Sequence, residues 1–198
     1  MLQKCNLWKI ASIFFNEPEK GHNLLSISKK SDLAHTSVKN HLATLEQYGL
    51  IEKVENEISM KPKYFYQAKR DAEIFHHYKK IYNTDILMSS GIIEHIEREC
   101  YPNSIVLFGS FSRGEDSSQS DIDIFIECNE KKINLDKYQF QLNRKISTMF
   151  RNNFKNLPEE LKNNIMNGIV LYGFLEGYDA GKDKTRPEQG RFSKEDGR

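Results

Sequence analysis

The chain has 198 residues with 38% hydrophobic and 29% charged side chains, the balance of a water-soluble globular protein. Its longest apolar run falls far below the ~18 residues that a membrane span needs, and Lys4 and Lys9 interrupt any signal-peptide core, so no membrane partner and a cytoplasmic location are expected. The net charge of +1 conceals a basic front, with 11 Lys or Arg against 7 Asp or Glu in residues 1–70, and an acidic middle, with 12 against 17 in residues 71–179.

In chain order, Leu7, Ile10, Ala11 and Phe14 fall on one helical stripe, and Glu17-Pro18 ends it. A short second helix is predicted from Ser26 to Lys30, with Leu25, Ile27 and Leu33 turned inward. Val38, Leu42 and Leu45 then mark the buried stripe of a third helix that Gly49 stops. Ile51 to Val54 and Lys63 to Tyr66 read as a hairpin around a loop holding Lys61 and Pro62.

Three helices and a hairpin, closing on Leu45-x-x-x-Gly49-Leu50-Ile51, resemble winged helix-turn-helix transcription regulators. The resemblance implies a third helix in the major groove of double-stranded DNA and a wing on its backbone or in the minor groove. Thr36, Ser37, Lys39, Asn40 and His41 are the candidate contacts on that helix, and Lys61 and Lys63 those of the wing. A winged module used for protein contact or dimerisation is the alternative. An excess of four positive charges is modest, so tight binding would call for a homodimer spanning two half-sites.

Two helices are predicted next, Asp71 to Asn83 and Asp85 to Glu99, with Ile86, Ile92, Ile93 and Ile96 on an apolar face that packs within the chain. Ile105 to Phe108 is a short apolar run, as in a strand buried on both faces, and it ends at Gly109-Ser110. A helical turn from Ser110 to Arg113, closed by Gly114, would present unpaired amides and the Ser110 hydroxyl to a phosphate. In the following strand, alternation puts Asp121 and Asp123 on one face, roughly 7 Å apart, so that both reach one hard cation. Ile122, Ile124 and Ile126 face the core. Leu135, Tyr138 and Leu142 mark a helix, Lys145 to Phe150 a strand, and Pro158-Glu159-Glu160 the first turn of a last long helix.

Gly109-Ser110, ten residues, then Asp121-x-Asp123, with Arg113-Gly114 between, resembles the signature of minimal nucleotidyltransferases of the DNA-polymerase-beta-like superfamily. The likeness runs from about Ile92 to Tyr178 and includes the closing Asn167 to Gly173. It implies Mg2+-assisted transfer of a nucleoside monophosphate, often AMP from ATP. By position, Gly109 and Ser110 would hold the triphosphate, with Arg113 beside them, and Asp121 and Asp123 would be the catalytic and metal-binding pair. The superfamily's third carboxylate has no counterpart: Ser147 or Thr148 stands there, and neither is a carboxylate base. Glu127 lies ~13 Å along its strand from Asp123, too far to share a metal, which leaves Glu115, Asp116 and Asp136 as loop substitutes.

The whole reads as α+β: a winged helix-turn-helix over residues 1–70, linker helices and a small mixed-sheet nucleotidyltransferase-like α/β domain over 71–178, and a disordered tail over 179–198. Cys5, Cys100 and Cys128 are too few and too scattered for a disulfide framework or zinc knuckle, and His76-His77 reads as a solvated helix face. Three functions follow: an active transferase, a DNA-binding regulator whose second domain senses a nucleotide, and an antitoxin. The last rests on the likeness of minimal nucleotidyltransferases to antitoxins that neutralise a small helical toxin.

Overall fold

Apolar side chains at helical spacing in the first fifty residues meet around one core, and the computed structural model, which describes residues 5–55 and 64–176, shows how they are brought together. Helices α1 (Asn6–Asn16), α2 (Leu24–Ser31) and α3 (His35–Gln47) bury Ile10, Phe14, Ile27, Val38, Leu42 and Leu45 against one another. Burial of each such side chain stabilises the fold by about 1.5–3 kcal/mol. Strands β1 (Ile51–Glu55) and β2 (Tyr64–Ala68) follow as an antiparallel pair with Ile51 opposite Ala68. His22 and Tyr66 exchange both backbone hydrogen bonds, 2.9 and 2.8 Å, which ties the α1–α2 connection to β2.

Two sequence expectations need correction in this half. The second helix starts at Leu24, because the Asn23 side chain accepts a hydrogen bond from the Ser26 amide at 2.8 Å and caps it. Leu25, expected inside, is 53% exposed, since the capped helix turns Ile27 rather than Leu25 to the core. The wing candidates Lys61 and Lys63 lie outside the described residues, as does the predicted tail.

The next helix is longer than predicted. Thr84 and Asp85 do not break α4 (Glu73–Ser89), where the Thr84 hydroxyl bonds back to Lys80 O at 2.9 Å. The stop falls at Gly91, whose φ of +79° is left-handed, and α5 (Ile92–Cys100) begins there. The last helix, expected to be long, is the two-turn α8 (Glu159–Met166), ended by the Asn167-Gly168 turn before the next strand.

A four-stranded mixed sheet forms the second half, in the order β5 (Ile146–Arg151), β4 (Ile122–Glu127), β3 (Ser104–Phe108), β6 (Ile169–Gly173). Only β4 and β5 run parallel. On one face Ile105, Leu107, Ile122, Ile124 and Ile126 pack under α5 and α7 (Asp136–Leu142). On the other, Val106 and Phe125 pack with Phe154, Leu157 and Ile165, supplied by a 3-10 turn, its flank and α8. Helix α4 belongs to both halves, with Phe75 and Tyr82 in the first core and Leu87 in the second. No helix among the described residues is long and apolar enough to cross a membrane.

Candidate functional site

The site begins where β3 runs out. Gly109 takes φ +74° and opens the one-turn helix α6 (Gly109–Arg113), which Gly114 closes at φ +74°. The turn is held by Ser112 Oγ donating to Gly109 O at 2.8 Å. Across the antiparallel ladder Phe108 faces Asp123, so the Asp123 carboxylate lies directly against Gly109. A Cβ on residue 109 would sit 2.4 Å from Asp123 Oδ2, and only glycine admits this approach. Asp121, two residues back on the same face, pairs with Lys145 Nζ at 3.0 Å. Burial pushes the Asp123 carboxyl above its ordinary value, the nearby Asp121 charge pushes it further, and Lys145 opposes both. The turn and the two aspartates predicted from the sequence therefore converge. Arg113 does not join them, being exposed and ion-paired to Glu115 at 2.7 Å.

The parallel register of β4 with β5 separates Ser147 from Thr148. Asp123 pairs with Ser147 and Ile124 with Thr148, so Ser147 shares the aspartates' face and Thr148 does not. The loop substitutes are otherwise engaged. Asp116 is buried between Lys79, 3.0 Å from Oδ1, and Arg144, 3.2 Å from Oδ2. Glu115 holds Arg113, and Asp136 starts α7 under the opposite face of the sheet. Glu127 is a brace: its carboxylate accepts from Ser104 Oγ and from the Phe154 amide, both at 3.0 Å. Among the described residues no group of three or more His, Cys, Asp or Glu side chains is arranged to hold a metal. The carboxylate pair has the hard oxygen donors that magnesium takes when substrate phosphates supply the rest.

Lys145 was missed from the sequence, although it stands two residues before Ser147 as Asp121 stands two before Asp123. The buried Lys79, Asn83 and Arg144 carried no local signal, because Asp116, which joins them, lies 33 residues from Asn83 and 37 from Lys79. On α3, Thr36, Lys39 and Asn40 are exposed, while Ser37 and His41 are half-buried. A cleft of about 750 Å3 lined by Trp8, Asn16, Tyr82, Gln119, Asn143 and Arg144 opens between the two halves, and neither aspartate lines it.

Residues 90–174 match a family model described as Polymerase beta, Nucleotidyltransferase. The matched segment contains the Gly109 turn, both aspartates and all four strands of the mixed sheet. It supports a domain of the nucleotidyltransferase superfamily there, with nucleotidyl transfer as its general chemistry and a nucleotide as substrate. No curated protein and no solved structure matches the chain.

Proposed function

We propose that the protein transfers a nucleoside monophosphate, AMP from ATP foremost, to an acceptor, and that its N-terminal half is a winged helix-turn-helix that binds double-stranded DNA. The observation that carries the first part is the seating of the Asp123 carboxylate on Gly109 with Asp121 beside it. Gly109, Ser110 and the amides of the α6 turn would take the triphosphate, and the aspartate pair would hold magnesium. The ion, when bound, neutralises charge on the transferring phosphoryl group. In the transfer an acceptor hydroxyl gives its proton to solvent as its oxygen bonds to the α-phosphorus, the bond from that phosphorus to the bridging oxygen breaks, and pyrophosphate leaves. The aspartates would orient the phosphates, and Lys145, 3.0 Å from Asp121, would add a positive charge beside them.

A second reading has an observation of its own. With Ser147 in register with Asp123, no third carboxylate stands with the pair among the described residues to take the acceptor's proton, which favours a DNA-binding regulator that senses a nucleotide with slow or no transfer. Thr36, Lys39 and Asn40, exposed along α3, support DNA contact in both readings. Labelled ATP, GTP, CTP and UTP with magnesium and cell lysate separate the two. Label transfer that disappears in Asp121→Ala and Asp123→Ala supports the transferase. Nucleotide binding without transfer, together with a DNA footprint abolished by Lys39→Ala and Asn40→Ala, supports the regulator. Absence of nucleotide binding under any condition sinks both.

A further inference from the structure

We propose that Asn83, on the helix that links the two halves, is a positioning residue for the Gly109–Ser110 turn, an inference that rests on the nucleotide-site reading above. Its side chain is buried, and Nδ2 donates to Phe111 O at 2.8 Å and to Asp116 Oδ1 at 2.7 Å. One amide thus clasps the turn and the loop that leaves it. The Phe111 carbonyl is available because the Glu115 amide bonds Ser110 O at 3.0 Å, one residue further back than an α-helical bond. Gly114 makes the close approach possible: a Cβ there would lie 2.4 Å from His76 O and 2.9 Å from Lys80 N, both backbone atoms of α4.

The clasp is set among buried charges that fix Asp116 in turn. Lys79 Nζ contacts both Asp116 O and its carboxylate, and Arg144 reaches Asp116 Oδ2, Ser117 O and Ser120 O. The segment from Phe111 to Ser120 is therefore anchored at both ends immediately before Asp121. A phosphate cradle displaced by an ångström loses much of its binding energy, so a donor that sets the turn's position acts on ligand affinity without touching the ligand. Asn83 is the one uncharged side chain of the cluster, and replacing it leaves the ion pairs of Lys79 and Arg144 with Asp116 in place.

The test uses the full chain, a fluorescent ATP analogue with magnesium, and amide hydrogen exchange measured without nucleotide. Asn83→Ser is expected to weaken the analogue's binding at least about tenfold and to accelerate exchange at residues 110–116. Tyr82→Phe is the control: it removes a hydroxyl that accepts from Asn16 Nδ2 at 2.8 Å one residue earlier on α4, and it should lower the melting temperature while leaving affinity within about twofold. Equal loss of affinity in both variants, or unchanged protection at 110–116 in folded Asn83→Ser, overturns the proposal. Should Asn83→Ser not fold, exchange in the native protein decides, because a loop that opens far more readily than α4 is not held by it. Failure of the native protein to bind the analogue removes the nucleotide reading, and the exchange arm still judges the clasp.

Discussion

At the residue scale, Asp123 is where the proposed function opposes stability. Its carboxyl is raised in the fold by burial and by the Asp121 charge, so its contribution to stability is greatest at low pH and is lost as pH rises from 3.8 through the folded value. Asp123→Asn should therefore raise the melting temperature of the metal-free protein at pH 7 and flatten that slope, while removing transfer. Glu17 has the opposite sign. Its hydrogen bonds to Lys20 and Lys30 hold it down at about 2, so its stabilisation is present above 4.5 and is lost as pH falls toward 2. Thermal melts across pH 2–7 on Asp123→Asn and Glu17→Gln check both slopes; identical curves for the two variants would contradict the assignment. The two aspartates and the glycine were legible because a strand's period and a strand-ending glycine are local properties. Lys145 was not, because its meeting with Asp121 depends on strand register.

At the scale of elements, Glu127 and Gly114 make separable predictions. Glu127 joins the start of β3 to the 3-10 turn, and truncation strands the Ser104 hydroxyl and the Phe154 amide. Glu127→Ala should cost about 2–4 kcal/mol in denaturant unfolding, from two orphaned groups at about 1–2 kcal/mol each, with nucleotide affinity unchanged in the folded fraction. Gly114→Ala should cost more than the ~1–2 kcal/mol of left-handed strain, since its Cβ meets backbone of α4 that cannot rotate away, and it should weaken nucleotide binding too. The break between α4 and α5 shows why element ends were harder to read than elements. Thr84 and Asp85 look like a boundary in a list of residues, yet the hydroxyl of Thr84 is satisfied within the helix and the left-handed Gly91 sets the stop.

At the scale of the molecule, α4 lies across two cores, with the Tyr82 ring tilted against Trp8 and Phe15 on one side and Leu87 under the mixed sheet on the other. Glu19 adds a second link, accepting from the Ser118 amide at 2.9 Å. Calorimetry should accordingly give one unfolding transition with matching calorimetric and van't Hoff enthalpies, and a fragment starting at residue 71, with Phe75 and Tyr82 uncovered, should melt well below the full chain. Two separated transitions would mean that the halves fold independently. By itself the amino-acid order determined the succession of helices and strands, the apolar faces, and the pairing of a glycine turn with two aspartates, because each depends on neighbours within a few residues. Tertiary structure alone decided that Ser147 faces the site, that Asp116 is spent in a buried ion pair, and that Asn83 holds the turn. Those outcomes depend on strand register and on the meeting of groups far apart in the chain, which spacing along the chain does not encode.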